Sequence, residues 1–219
     1  MKLVEGWYLP DGEKHFSYYL KEAKKSKFPR EYQKLQRDKS IEFVDRFETA
    51  IDIGACVGFW TKDLCKLFKK TICFEPYKKS SDCLKENLKE FNNYELHNIA
   101  LSNQNGKGDL LVSEEGIGSN SLNGFALNKA MPIRIEKKRL DDYQFTNVDY
   151  IKIDVQFYEL FVLQGAYKTL KENNPLLCIE CARRNKEELK YVKKINEFLI
   201  KLNYKIVGGI GKELFFKKL

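Results

Sequence analysis

Long apolar runs are missing from this chain of 219 residues: none approaches the roughly 18 that a membrane-spanning helix needs. Nor does Met1-Lys2-Leu3-Val4-Glu5 open as a signal peptide, so a soluble cytoplasmic protein is expected. Histidine is scarce, at His15 and His97 alone. Cysteine occurs six times (Cys56, Cys65, Cys73, Cys83, Cys178, Cys181) but in no metal-binding pattern. Cys178-Ile179-Glu180-Cys181 resembles half of a zinc site, yet no second pair or His cluster completes it, and strand residues three apart face opposite ways. The six are expected to be reduced, mostly buried thiols, and no metal site is expected. Internal repeats and inter-domain linkers are absent too. With 43% hydrophobic and 32% charged residues, disorder is excluded. Acidic charge falls short of basic by eight, and residues 21–39 carry eight basic residues against three acids. Such a run is either a solvated helical face or a surface for an anionic partner.

What is present is organised around residues 49–58, Thr-Ala-Ile-Asp-Ile-Gly-Ala-Cys-Val-Gly. Ala50, Ile51 and Ile53 read as a buried strand ending in a Gly-x-x-x-Gly turn, and residues 59–68 follow with apolar positions at helical spacing. Strand, glycine turn and helix make the first βα unit of a Rossmann-like sheet. A second strand, 71–74, ends in Glu75, about where such folds place an acid on a ribose. A dinucleotide wants its pyrophosphate on a helix N-terminus behind Gly-x-Gly-x-x-Gly. Here Asp52 stands before the turn and would repel a pyrophosphate, whereas S-adenosylmethionine (SAM) brings an ammonium and a sulfonium. SAM, with S-adenosylhomocysteine (SAH) as product, is the expected cofactor; the alternative is a sheet turn with no ligand. Asp52 and Gly54 should flank its methionine part, with Ala55, Val57 and Gly58 completing the turn. Glu75 should take the ribose hydroxyls, and Asn98, Ile99 and Ala100 should lie near the adenine.

Residues 1–48 are expected to form an N-terminal helical cover over a domain spanning 49–219. The cover opens with a turn-rich stretch at 6–12. A helix over 13–24 follows, with Phe16, Tyr19, Leu20 and Ala23 on one face. Lys27-Phe28-Pro29 breaks it, and one or two helices fill 30–47. So short a segment cannot hold its own core, and its aromatic residues suit the wall of an acceptor pocket. Beyond Glu75-Pro76 the pattern predicts a helix at 78–91, a strand at 95–101, a short strand at 108–113, a Gly- and Ser-rich loop at 115–121 and a strand at 132–136. A strand at 149–155 carries Asp154, a helix spans 158–170, and a strand at 175–180 ends in Glu180. An amphipathic helix at 186–202 carries Leu189, Val192, Ile195, Phe198 and Leu199 on its apolar stripe. A hairpin of 204–207 and 213–217 closes the chain.

Strands alternating with helices and a terminal antiparallel hairpin make an α/β fold, the mostly parallel sheet of a class I methyltransferase. The chain resembles the FkbM-type family of SAM-dependent methyltransferases from about Ala50 to Glu180. The carriers are Asp52-Ile53-Gly54-Ala55-Cys56-Val57-Gly58, Phe74-Glu75-Pro76, Asn98-Ile99-Ala100-Leu101-Ser102, Arg139-Leu140-Asp141-Asp142, and Ile151-Lys152-Ile153-Asp154-Val155 with Leu163-Gln164-Gly165-Ala166. One departure stands out. The family continues as Val-Glu-Gly-x-Glu where this chain has Val155-Gln156-Phe157-Tyr158-Glu159. If that glycine needs a positive φ, Phe157 is expected to force a different turn.

Asp154 and Glu180 should emerge at the carboxyl ends of adjacent strands, where open α/β sheets bind ligands. Asp154 is a candidate to orient the SAM ammonium, to act as base, or merely to cap the next helix. Lys152 shares its face and reads as its ion-pair partner. His15, in the cover, and Glu180 are the candidate acceptor-side bases, while mid-strand His97 reads as a packed residue. No Asp/Asn-Pro-Pro-Tyr follows Asp154, which argues against methylating exocyclic amines of DNA bases. No Pro-Cys nucleophile sits there, which argues against cytosine C5 chemistry. An acceptor oxygen is favoured, as the resemblance also implies: a hydroxyl of a sugar, glycan or small metabolite, with an anionic acceptor compatible with the basic charge. The alternatives are an RNA ribose 2′-O-methyltransferase and a catalytically impaired SAM-binding protein.

Overall fold

The computed structural model describes residues 1–25, 31–113, 116–123, 130–181 and 185–218. In chain order the elements are β1 (Lys2–Val4), β2 (Trp7–Leu9), α1 (His15–Lys25), α2 (Lys34–Ile41), β3 (Thr49–Ile53), α3 (Phe59–Leu67), β4 (Lys70–Phe74), α4 (Lys78–Asn87), β5 (Tyr94–His97) and β6 (Ala100–Leu101). They continue with β7 (Gly106–Ser113), β8 (Ala130–Lys138), β9 (Val148–Ile153), α5 (Glu159–Gly165), α6 (Tyr167–Asn173), β10 (Leu176–Glu180), α7 (Lys186–Ile200), β11 (Tyr204–Ile210) and β12 (Glu213–Lys218). A seven-stranded sheet runs in the order β11-β12-β10-β9-β3-β4-β5. Strands β5, β4, β3, β9 and β10 pair in parallel, and β12 enters antiparallel between β10 and β11. The order reverses between β3 and β9, which opens a crevice at the carboxyl ends of those strands.

Alternation along the strands explains both core and site. Ile51, Ile53, Ile72, Phe74, Ile151, Ile153, Leu177 and Ile179 fill one face against Val162, Leu163, Leu170, Ile195 and Leu199. Ala50, Tyr150, Leu176 and Cys178 point to the other, where Trp60, Leu64 and Phe68 cover them. A strand repeats every two residues, so Asp52, Lys152, Asp154 and Glu180 rise on this second face. Glu213, the register partner of Glu180, joins them from β12. Sheet pairing alone thus gathers five charged residues at one end of the sheet.

The structure departs from the sequence expectations in several places. The opening of the chain is no free turn: β1 and β2 form a hairpin about Glu5 and Gly6, whose φ values of 48° and 84° match the two-residue turn that tight hairpins favour. Asn87 fixes this hairpin by accepting the Tyr8 N–H at 2.7 Å and donating to the carbonyls of Tyr8 and Val57. The strand expected at 95–101 breaks at Asn98, whose amide donates to the Glu75 carbonyl at 2.6 Å; β5 stays in the large sheet and β6 joins a three-stranded ribbon with β8 and β7. The helix expected at 158–170 breaks after Gly165, where a Cβ would lie 1.9 Å from the Ser102 carbonyl oxygen, so helix and chain touch backbone to backbone. Leu189 is 51% exposed and does not belong to the apolar stripe of α7. The break expected at Lys27-Phe28-Pro29 and the first residue of the 115–121 loop lie outside the described residues. Among the described residues no helix is long and apolar enough to cross a membrane. The six cysteines are outside any disulfide, and all but Cys56 are buried.

Candidate active site

A cavity of about 490 Å³ opens over the carboxyl ends of β3, β4, β9 and β10. Its floor at one end is the glycine turn. Gly54 has φ +85°, and a Cβ there would lie 2.0 Å from the Asp154 carbonyl oxygen, so only glycine lets β3 and β9 close. Gly58 (φ +92°) starts α3 against Leu84 and serves packing: it does not line the cavity. Glu75 is 7% exposed and gives its two oxygens to backbone, Oε2 accepting from the Cys56 N–H and Oε1 from the Tyr77 N–H, each at 2.8 Å. Burial outweighs those bonds and pushes its carboxyl up to about 7. Asp52, also buried, accepts from the Thr61 hydroxyl at 2.6 Å and is pushed up to about 6, again by burial first.

Beyond the turn stand Asp154 and Glu180. The Gln156 amide joins them, its Nε2 donating to Asp154 Oδ1 at 2.7 Å and to Glu180 Oε2 at 2.6 Å. Their environments pull them apart. Burial raises both, but for Asp154 the Lys152 ammonium, 3.4 Å from Oδ2, and the surrounding hydrogen bonds prevail and hold it below its usual range. Glu180 stays high, at about 8, through burial and the neighbouring Asp154 charge, although Lys212 approaches its other oxygen at 3.2 Å. Such a split is the pattern by which one carboxyl stays ionised while its neighbour keeps a proton near neutrality.

Gln156 reaches both acids because its backbone is held in a rare conformation. Gln156 and Phe157 have φ of 52° and 69°. Phe157 thus takes a positive φ itself, at the steric cost that a glycine would avoid. Glu159 Oε1 accepts the Val155 and Phe157 N–H groups at 3.2 and 3.1 Å, Ser121 Oγ donates to the Gln156 carbonyl at 2.5 Å, and Asn123 donates to that of Phe157 at 2.9 Å. Surroundings that over-determine a turn in this way are what keep strained backbone in place.

The roof comes from residues 1–48 and from the loop at 116–122. Glu13, 4% exposed, ties the two together: Oε1 takes the Phe16 N–H at 2.8 Å and Oε2 the Ile117 N–H at 2.9 Å. Gly116 and Gly118 lie so close to His15 and Phe16 that a Cβ at either would sit 2.9 Å from them. Phe16, Tyr32 and Phe59 cluster by their rings, and Gln33 fastens the cover to the site, accepting from Trp60 Nε1 at 2.6 Å and donating to Glu213 at 3.1 Å.

Of the residues expected from sequence, the cavity gathers Asp52, Gly54, Ala55, Glu75, Ile99, Ala100, Asp154, Glu180 and His15. Val57, Gly58 and Asn98 stand behind its wall: the Val57 carbonyl and the Asn98 amide hold Asn87 and Glu75 in place. The sequence reading overlooked Glu13, Tyr32, Gln33, Trp60 and the bridging amide of Gln156. Only Gln156 carried a signal, its departure from the family pattern.

A family model described as "Methyltransferase FkbM domain" matches residues 52–206. A structure of the methyltransferase FkbM from Methylobacillus flagellatus KT superposes with a TM-score of 0.56 at 17% identity, over 78% of this chain and 43% of that one. The present chain thus spans less than half the length of that relative. A Streptococcus mutans protein assigned as a methyltransferase and solved in complex with SAH gives 0.53 at 15%, over 84% and 96% of the two chains. A precorrin 8w decarboxylase from Methanobacterium thermoautotrophicum gives 0.54 at 10%, over 97% and 100%. At these identities the likeness establishes the fold alone. No curated protein matches the sequence.

Proposed function

Because the chain belongs to the FkbM methyltransferase family, we propose that it is a SAM-dependent methyltransferase whose acceptor is a hydroxyl of a sugar, glycan or small metabolite. The observation that carries this reading is the shape of this cavity: a glycine turn with a buried acid at one end, and a carboxyl pair of split proton affinity at the other. The residues fit the cofactor. A volume of about 490 Å³ lies within the roughly 300–1,000 Å³ of small-molecule sites. Asp52, Glu75, Asp154, Glu180 and Glu213 line it against Lys152 and half-exposed Lys212, an excess of carboxylates that suits a cationic donor.

When bound, SAM supplies a methyl group activated by its sulfonium. Glu75, already holding two N–H groups, has lone pairs left for hydroxyls. Asp154, kept ionised by Lys152, faces the donor's ammonium. Glu180 takes the proton from the acceptor hydroxyl once it is itself ionised, with His15 as the second group on the acceptor side; such proton removal contributes typically 10²–10⁴-fold. Phe16, Tyr32 and Trp60 exclude water and hold donor and acceptor in line, which is worth about 7–11 kcal/mol at best in oriented reactions. The basic run at 21–39 lends little support to a nucleic-acid acceptor: Lys24, Lys25, Lys34, Lys39 and Arg37 are already paired with Glu5, Glu22, Asp38, Glu42 and Asp63. Lys27 and Arg30 lie outside the described residues.

The test is incubation with methyl-labelled SAM and fractionated extract of the source organism, followed by identification of the labelled compound. A labelled carbohydrate or small-molecule ether supports the reading; label in amine or RNA fractions alone refutes it.

A further inference from the structure

Among the described residues lining the cavity, Lys152 has a fully buried side-chain nitrogen whose donors the fold leaves unmet. It lies mid-strand in β9, is 1% exposed, and faces the same side as Asp52, its register partner on β3. It reaches the cavity beneath Trp60, whose ring centre is 5.0 Å from Nζ. The nearest carboxylate oxygen, on Asp154, is 3.4 Å away, and Nζ has no hydrogen-bond partner among the described residues. An ammonium carries three donors, and burying them unmatched is costly. Pairing with Asp154 explains the charge of Lys152 but not its empty donors.

The surrounding charges define what fits. Asp52, Asp154, Glu180 and Glu213 all act on this ammonium or are acted on by it. A simple anion entering here would meet carboxylates on every side. A zwitterion would not, because its ammonium settles among the carboxylates while its carboxylate turns to the lysine. We infer that Lys152 receives the α-carboxylate of the cofactor's amino-acid end, with Asp52 and Asp154 facing the α-ammonium. This rests on the SAM reading above and deepens it. It makes Lys152 a binding residue rather than a brace for Asp154, and it fixes which way the methionine end lies: toward Trp60, under the cover.

The test is a two-by-two titration of the full chain, wild type and Lys152→Met, each with SAH and with S-adenosyl-3-thiopropylamine, which keeps the ammonium but lacks the carboxylate. A charge-assisted hydrogen bond of the usual strength predicts that wild type prefers SAH by about ten- to one-hundred-fold. Lys152→Met should bind both ligands alike: the preference for SAH is lost, over and above any weakening common to both ligands from an Asp154 that Lys152 no longer holds ionised. Should that variant fail to fold, Lys152→Gln serves the same cycle, and the wild-type comparison stands by itself. Equal wild-type affinities overturn the inference, as does a variant that weakens both ligands equally and so keeps the preference for SAH, which is what a merely structural lysine would do. Wild type that binds neither ligand overturns the SAM reading itself, and this inference with it.

Discussion

Replacing Glu75 with Gln tests the cofactor end of the cavity most sharply, because the structure gives that carboxyl both a role and a cost. Its pKa stands near 7 in the folded protein against about 4.5 unfolded. The group therefore favours the fold most below about pH 4.5, and that contribution is lost as pH rises through 7. At alkaline pH the loss is about 3 kcal/mol, from roughly 1.4 kcal/mol per pKa unit. A ligand whose ribose hydroxyls donate to Glu75 prefers the ionised form and must displace the proton. Wild-type SAH affinity should thus strengthen by nearly tenfold per pH unit from about 5.5 to 7 and level off above. Proton release should appear in calorimetry as a heat that changes with the buffer. Glu75→Gln should flatten both signals. It still offers one acceptor to the Cys56 or Tyr77 N–H, so the turn persists; Ala would strip both and confuse binding with folding. Identical pH slopes in wild type and variant would refute the assignment of Glu75 to the ribose.

Glu180→Gln should remove the rise of methyl transfer with pH toward 8 and lower kcat by about 10²–10⁴-fold, leaving SAH affinity within a few fold. If a double variant with His15→Ala keeps the wild-type rate from pH 6 to 9, neither residue is the base. Glu13→Ala should destabilise the protein by about 1–3 kcal/mol for each of the two N–H groups it orphans, read from the shift in denaturation midpoint. Removing residues 1–24 should abolish turnover while SAH binding stays measurable, and a truncated protein of full activity would count against the cover as part of the acceptor site. At position 157, Gly should be more stable than Ala by about 1–2 kcal/mol, the usual cost of a left-handed backbone at a φ of 69°. A urea titration ranking Ala at or above Gly would show that the turn relaxes.

The sheet was legible because β3, β9 and β10 are short apolar runs buried on both faces, and such runs leave few alternatives. The glycine turn was legible for a related reason: the positive φ of Gly54 and its close approach to the Asp154 carbonyl both demand a residue without Cβ, and that demand shows in the sequence as the glycine itself. What escaped were the contacts that unite distant segments. Glu13 was overlooked because its second partner, Ile117, is far along the chain. Gln33 sits in a left-handed conformation that no pattern announces. Lys152 read as the ion-pair partner of Asp154, and its empty donors emerge only once Trp60 is folded over it. Phe157 shows the opposite failure: its steric preference was read correctly, but hydrogen bonds from Ser121, Asn123 and Glu159 override it.

The pairing of β3 also governs how the molecule is assembled. One flank of β3 is supplied by β4, close in sequence, but the other waits for β9, which begins only at Val148. Until then the nascent chain presents Ala50, Ile51 and Ile53 on a bare strand edge, a template for pairing with other chains. The glycine turn has no far wall either, since the Asp154 carbonyl against which Gly54 packs has not arrived. A ligand that needs both walls would therefore not nucleate folding from the first half of the chain; it would stabilise only what the long-range closure has already made, and contacts of such sequence separation are slow to form.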